Sequence, residues 1–293
     1  SCFAPFIESM ITEKRNAGFQ YEHAEWILHK FDEFCNQEQV ETPVITQELA
    51  GKWGTLRKTE TKVTLAGRIS VLRQLSLYMQ AYGIKCYVPR NFTRKSNRSA
   101  YVLSIEEIQS LFLEIDSYQP TINAEVFHRL ALEYRILFRI LFCCGLRVSE
   151  ARKLRLDMVD LENGVLKIYQ SKGSNDRLVY LPDDLRQLCC EYLKIMTVKY
   201  KIKSEWFFPA SDPAKVLQVA SVGKRFHRAW EQTPYARERA LQPTVHSLRH
   251  TFVVLRMNEW MKSGVKLDNM MPYLSKYLGH SSPDDTFYYY HQV

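Results

Sequence analysis

Apolar residues recur every three to four positions along most of this chain, and only between Gly164 and Leu181 do they alternate or run as strands do. A helix returns to the same face about every 3.6 residues and a strand every second one, so the pattern commits the chain to a mainly α fold with one small antiparallel β-sheet. The clearest helix covers Thr64–Tyr82, where Leu65, Ile69, Leu72, Leu75 and Met79 make one stripe and Gly83 stands where the helix would stop. Arg68 and Arg73 fall off that stripe and are expected to face out. Tyr21–Asn36 shows the same spacing in Ala24, Ile27, Leu28, Phe31 and Phe34, and Thr46–Gly51 reads as a short helix. Ser104 with Glu107 three residues later is a capping-box signature, predicting a helix to about Ile115; a long helix should cover about Val126–Cys144. Gly164–Tyr169 and Arg177–Leu181 flank SKGSND and predict a β-hairpin with a polar tip, after which helices resume at Asp183.

A length of 293 residues suggests about two domains. The stretch YVPRNFTRKSNRSAYVL carries Pro89, Arg90, Arg94, Lys95 and Arg98 with little apolar content. It reads as a basic linker, residues 88–100, between an all-helical domain (1–87) and a mixed domain (101–293). Charge is distributed unevenly. From Glu8 to Glu48 there are nine acidic residues against three basic ones, whereas from Lys52 to Arg98 there are eleven basic against one acidic. An excess spread over a surface would be a solvated face, but a one-sided block of that length suits a phosphate-contacting surface, so Lys52, Arg57, Lys58, Lys62, Arg68, Arg73, Arg90, Arg94, Lys95 and Arg98 are candidate phosphate contacts. Seven cysteines without a CxxC spacing, two pairs of them inside apolar runs, suit buried thiols in a reducing cytoplasm. No apolar run is long enough to span a membrane, and SCFAPFIESMITEK lacks the basic start of a signal peptide.

Five short pieces of the second domain carry chemistry. CGLRVSE delivers Arg147 through a glycine turn after an apolar helix, with Glu150 opening the next; a rigid guanidinium can grip two phosphate oxygens. Lys172 sits at the hairpin tip, where it is either a solubilising charge or a proton donor. HSLRH puts His246 and Arg249 on one helical face. His246 and His250 are also one turn apart, but without a nearby carboxylate or cysteine cluster a metal is not expected. LGHSS supplies His280, and three tyrosines, Tyr288, Tyr289 and Tyr290, follow. A phenol needs cationic neighbours to act as a nucleophile at neutral pH.

The order R…K…HxxR…H…Y resembles the tyrosine recombinase, or phage integrase, family from about Tyr101 to His291. YVLSIEEIQSLF resembles the usual opening of that family's catalytic domain, and TLAGRISVLRQLSLYMQAYG its core-binding domain. The resemblance implies a two-domain DNA clamp. It makes Arg147 and Arg249 the phosphate-binding arginines, Glu150 their acidic support, Lys172 the hairpin lysine, and His246 and His280 the two family histidines. The nucleophile is Tyr289, nine residues after His280 and two before His291; a one-residue slip would make it Tyr288. The implied reaction forms a 3′-phosphotyrosyl intermediate without metal, ATP or other cofactor. Implied partners are double-stranded DNA with specific recombination sites and further copies of the chain, two per site and four in synapsis. Relatives usually continue into a terminal helix that docks on a neighbouring subunit, whereas this sequence stops four residues after Tyr289; either it is trimmed or subunits communicate differently, which leaves the cyclic tetramer open, and an arm-binding domain ahead of residue 1 is expected to be absent or removed. A mobile-element recombinase is expected because SSPDDTFYYYH departs from the SSxxTTxxYTH wording of chromosomal relatives. A type IB topoisomerase, or a DNA-binding relative without catalysis, remains the alternative.

Overall fold

The structure is a computed structural model that describes residues 1–19, 21–90, 100–169, 176–238, 241–280, 282 and 284–292, without the side chains of 291 and 292. It divides into two compact units, Ser1–Arg98 and Ser99–Val293.

The first unit is built from α1 (Ala4–Asn16), α2 (Glu22–Gln37), α3 (Gln47–Trp53) and α4 (Lys62–Ala81). Thr46 and Thr61 cap α3 and α4, each hydroxyl accepting from the amide three residues on. The predicted stripe of α4 is buried at Ile69, Leu72, Leu75 and Met79, against Phe3, Leu28, Phe31 and Trp53. The helical pattern therefore held in this unit, but the outward orientation of two arginines did not. Arg68 is 5% exposed: it donates to both carboxylate oxygens of Glu60 and to the carbonyls of Trp53 and Thr55, and lies over the Trp53 ring. A guanidinium off the apolar stripe is buried here because an aromatic face and a carboxylate cover it. Arg73 is half-buried and donates to the Pro89 carbonyl at 2.8 Å. Lys52, Arg57, Lys58, Lys62 and Arg90 are exposed; Arg94, Lys95 and Arg98 lie outside the described residues.

The second unit opens with α5 (Ile105–Ser117), whose capping box between Ser104 and Glu107 is formed as predicted. Helix α6 (Glu125–Cys144) runs through the middle and is buried along Leu137, Phe138, Ile140 and Leu141. After α7 (Val148–Arg152) come β1 (Val159–Asp160), β2 (Val165–Ile168) and β3 (Arg177–Tyr180), an antiparallel sheet in that order with Leu166 opposite Val179. The predicted hairpin is β2–β3; the two-residue β1, too short to show a period, was not foreseen. Lys172 lies outside the described residues. Helices α8 (Asp183–Val198), α9 (Val219–Gln232), α10 (Val245–Lys262) and α11 (Leu267–Leu278) follow, then α12 (Asp284–Phe287) and a 3-10 turn, Tyr288–Gln292. The result is the mainly α fold with a small antiparallel sheet that the periodicity predicts.

A separate apolar cluster of Phe252, Val253, Met257, Met271, Leu274, Leu278 and Tyr289 seats the C-terminal turn on α10 and α11. The Leu103 amide donates to the buried Thr251 hydroxyl at 2.9 Å, tying the start of the unit to the same helix.

Candidate active site

Two helices end at one place. Both α6 and α11 finish in a left-handed glycine, Gly145 at φ +62° and Gly279 at φ +65°. Neither position tolerates a side chain. A Cβ on Gly145 would stand 2.4 Å from the Phe252 ring, and one on Gly279 would stand 2.8 Å from Arg177 Nη1. The carbonyls left unpaired at these helix ends receive arginines. Arg249, 1% exposed, donates to Gly145 O at 2.7 Å and to Leu278 O at 2.8 Å. Arg147 donates to Gly279 O at 2.8 Å. Carbonyl ends of helices carry partial negative charge, so they hold guanidinium groups without neutralising them.

One carboxylate organises the cations. Glu150 accepts from the Arg147 amide and Nη1, both at 2.9 Å, and from Arg177 Nη1 and Nη2 at 3.1 and 2.8 Å. Burial raises its pKa, but the hydrogen bonds and charges of Arg177 and Arg147 outweigh that and hold it below the usual carboxylate range. Arg147 is the more open arginine, its side chain 21% exposed. Among the described residues its side chain donates from Nη1 to Glu150 and from Nη2 to Gly279 O, two of the five N–H groups a guanidinium carries.

The histidines lie around this cluster. His280 Nε2 accepts from Arg249 Nη2 at 2.9 Å, since a guanidinium has only donors, so Nδ1 carries the proton and donates to Thr286 Oγ1 at 2.7 Å. Burial, then Arg249, Arg147 and Arg177, push His280 down to about 3 and keep it neutral. His246, on the first turn of α10, is exposed on the open side; burial of its inner edge and the charges of Arg249 and Arg147 lower it to about 4. His250 meets His246 edge to face, ring centres 4.5 Å apart. Burial, His246 and Arg249 lower His250 to about 4.

The three tyrosines occupy different environments. Tyr288 is exposed and its hydroxyl accepts from the Ala100 amide at 2.8 Å. Tyr290 donates to Asp268, and that bond raises its pKa to about 12. Tyr289 is turned inward, 3% exposed, with its hydroxyl 2.7 Å from His250 Nδ1. Burial raises it to about 12, and the opposing pull of Arg249 and then of Arg147 is the weaker effect. Of the three, it is the phenol in the arginines' field.

Arg147, Glu150, His246, Arg249, His280 and Tyr289 thus gather at one site. Two participants were not foreseen as such: Arg177, whose partner Glu150 is 27 residues away on α7, and His250, considered only as half of a metal pair. The one-turn spacing of His246 and His250 was the available signal for the latter. Among the described residues no three His, Cys, Asp or Glu side chains gather to hold a metal.

A model of the phage integrase family matches residues 103–293, the span that carries all of these groups. The chain belongs to the phage integrase family. It is 27% identical to a putative integrase/recombinase, y4rB, of Sinorhizobium fredii over 298 residues, covering 99% of this chain and 92% of that one. It is 30% identical to the tyrosine recombinase XerD of Pseudomonas aeruginosa over 172 residues, 57% of this chain and 52% of the relative. Among solved structures, the Tn1549 transposon integrase in complex with transposon right end DNA matches with a TM-score of 0.66 at 16% identity, over 97% of this chain and 94% of that one. A lambda integrase dimer bound to a core site matches with a TM-score of 0.64 at 16% identity, over 98% and 94%. At such identities the two structures speak to the fold. Among the described residues no helix is long and apolar enough to cross a membrane.

Proposed function

We propose that this chain is a site-specific DNA recombinase, acting for a mobile genetic element, in which Tyr289 is the nucleophile. The observation that carries the reading is the meeting of Arg147, Arg249 and Tyr289 at the ends of α6 and α11, with cations fixed on helix carbonyls rather than neutralised by carboxylates alone. Such a site suits an anion that gains charge during reaction. The Tyr289 oxygen attacks a backbone phosphorus, the P–O5′ bond breaks, and a 3′-phosphotyrosyl link forms. A 5′-hydroxyl of the exchange partner then attacks that link and releases the phenol. One ester is traded for another, so no ATP is consumed.

Arg147 and Arg249 stabilise the extra charge on the pentacoordinate phosphorane; preorganised donors of this kind contribute about 10²–10³ in rate each. Lys172 protonates the leaving oxygen. His246 bonds the phosphate from the open side, and His280 fixes Arg249. Phosphate contacts from Lys52, Arg57, Lys58, Lys62, Arg90 and the linker residues Arg94, Lys95 and Arg98 make affinity steeply salt-dependent. Exchanging both strands of two sites requires four nucleophiles, hence a pair of subunits on each site and four in synapsis.

The test is covalent capture on a nicked suicide substrate. Tyr289→Phe should bind DNA normally and form no adduct, whereas adducts in that variant would refute the assignment. Lys172→Ala should cleave poorly but recover on a 5′-thiol leaving group, which needs no proton. Relaxation of any plasmid regardless of sequence would replace the recombinase reading by a topoisomerase.

A further inference from the structure

The hydrogen bond at the nucleophile is made by neither family histidine. We propose that His250 is a catalytic residue: the proton acceptor that holds the Tyr289 phenol and takes its proton as the oxygen bonds to phosphorus. This inference rests on Tyr289 being the nucleophile.

The geometry supports it in three ways. His250 Nδ1 lies 2.7 Å from the Tyr289 oxygen, with the rings 5.5 Å apart, so a direct transfer needs no bridging water. Arg249 is the neighbouring residue on α10, so the proton acceptor and a phosphate-binding guanidinium come from one rigid helix. His246, the other imidazole one turn earlier, touches the His250 ring rather than the phenol. Among the described residues, His250 is the group that the structure places within reach of the phenolic proton.

The proton balance closes. In cleavage the Tyr289 O–H bond breaks, the proton goes to His250 Nδ1, the phenol oxygen bonds to phosphorus, and the 5′-oxygen leaves with a proton from Lys172. In rejoining, the 5′-hydroxyl returns its proton to Lys172 and the departing phenolate recovers its own from His250. Each side chain ends as it began. Without DNA the transfer is uphill, because burial and the nearby arginines favour a neutral imidazole and a protonated phenol. A phosphodiester between Arg147 and Arg249 adds a negative charge beside His250 and so favours its protonation. The nucleophile is thereby stored protonated until the scissile phosphate is in place.

The test combines His250→Asn with acid-strengthened tyrosines. Asparagine keeps a polar atom near the Nδ1 position but cannot take up a proton. His250→Asn should lower single-turnover adduct formation by about 10²–10⁴, with DNA affinity and thermal unfolding as in the parent. Replacing Tyr289 in the full chain by difluorotyrosine, whose phenol is more acidic, should recover at least about tenfold in the His250→Asn background and little in the parent. Adduct formation at the parental rate in His250→Asn, or an equal fluorination effect in both backgrounds, would overturn the proposal. Adducts in Tyr289→Phe would instead show that the underlying reading had failed, whatever His250 does.

Discussion

Replacing Glu150 by glutamine leaves the shape of the site and removes the charge that binds its cations together. The carboxylate accepts four hydrogen bonds, two from Arg147 and two from Arg177. Glutamine keeps one acceptor oxygen and turns an amide N–H₂ toward guanidinium donors, so two of the four bonds are lost. Arg177 suffers most, since its side chain is 6% exposed and Glu150 is the carboxylate it pairs with among the described residues. Leaving one partner of a buried pair uncompensated costs about 3–5 kcal/mol. The partial exposure of Arg147 argues for the low end, about 3 kcal/mol. For a unit of this size each kcal/mol moves the melting temperature by about 2–4 °C, giving a fall of about 6–12 °C. Circular dichroism at pH 7 measures the melting, and adduct formation on a suicide substrate measures the site. Arg177→Met in the same chain should be destabilising alone but should cost little further in Glu150→Gln, because both changes break one pair. A melting shift under about 2 °C, or strict additivity of the two substitutions, would refute the view that Glu150 holds the site by charge.

Gly145→Ala must put a Cβ in the left-handed region and 2.4 Å from Phe252; strain and overpacking should cost about 2–5 kcal/mol, read as lost denaturant stability, and disturb the Arg249 anchor enough to slow adduct formation. Arg68→Met should destabilise the first unit in denaturant titrations, whereas Lys58→Met, exposed, should weaken DNA binding and flatten its salt dependence while leaving stability unchanged. Acid should destabilise the second unit: folded His250 and His280 titrate near 4 and 3, but unfolded histidine near 6.5 takes up protons first. The stability held above about pH 6.5 is therefore lost progressively as pH falls from that value toward about 4 and about 3, and a melting temperature at pH 5 equal to that at pH 7 would contradict it.

Much of this was legible because it is local. The helical stripe of α4, the capping box at Ser104 and the glycine stop after Cys144 are set by residues within a turn or two of one another. The fixed order of Arg147, His246, Arg249, His280 and the tyrosines carried the family resemblance. What the sequence hid depends on partners brought together by folding. Spacing shows that His246 and His250 share a face of α10, but not that Tyr289 arrives opposite them. Nothing near Arg177 announces the α7 carboxylate of Glu150, and nothing on α4 announces that Trp53 and Glu60 cover Arg68. The need of a phenol for cationic neighbours was legible, but not that burial of the Tyr289 ring outweighs the pull of both arginines.

The most direct measurement is the identity of the residue that carries DNA. Adducts trapped on a nicked duplex can be digested and the nucleotide-bearing peptide sequenced by mass spectrometry. The nucleotide should sit on the oxygen of Tyr289, the one tyrosine of the three that the structure seats beside His250 within the field of Arg147 and Arg249. Finding it on Tyr288 or Tyr290, or finding no tyrosine adduct, would contradict the account.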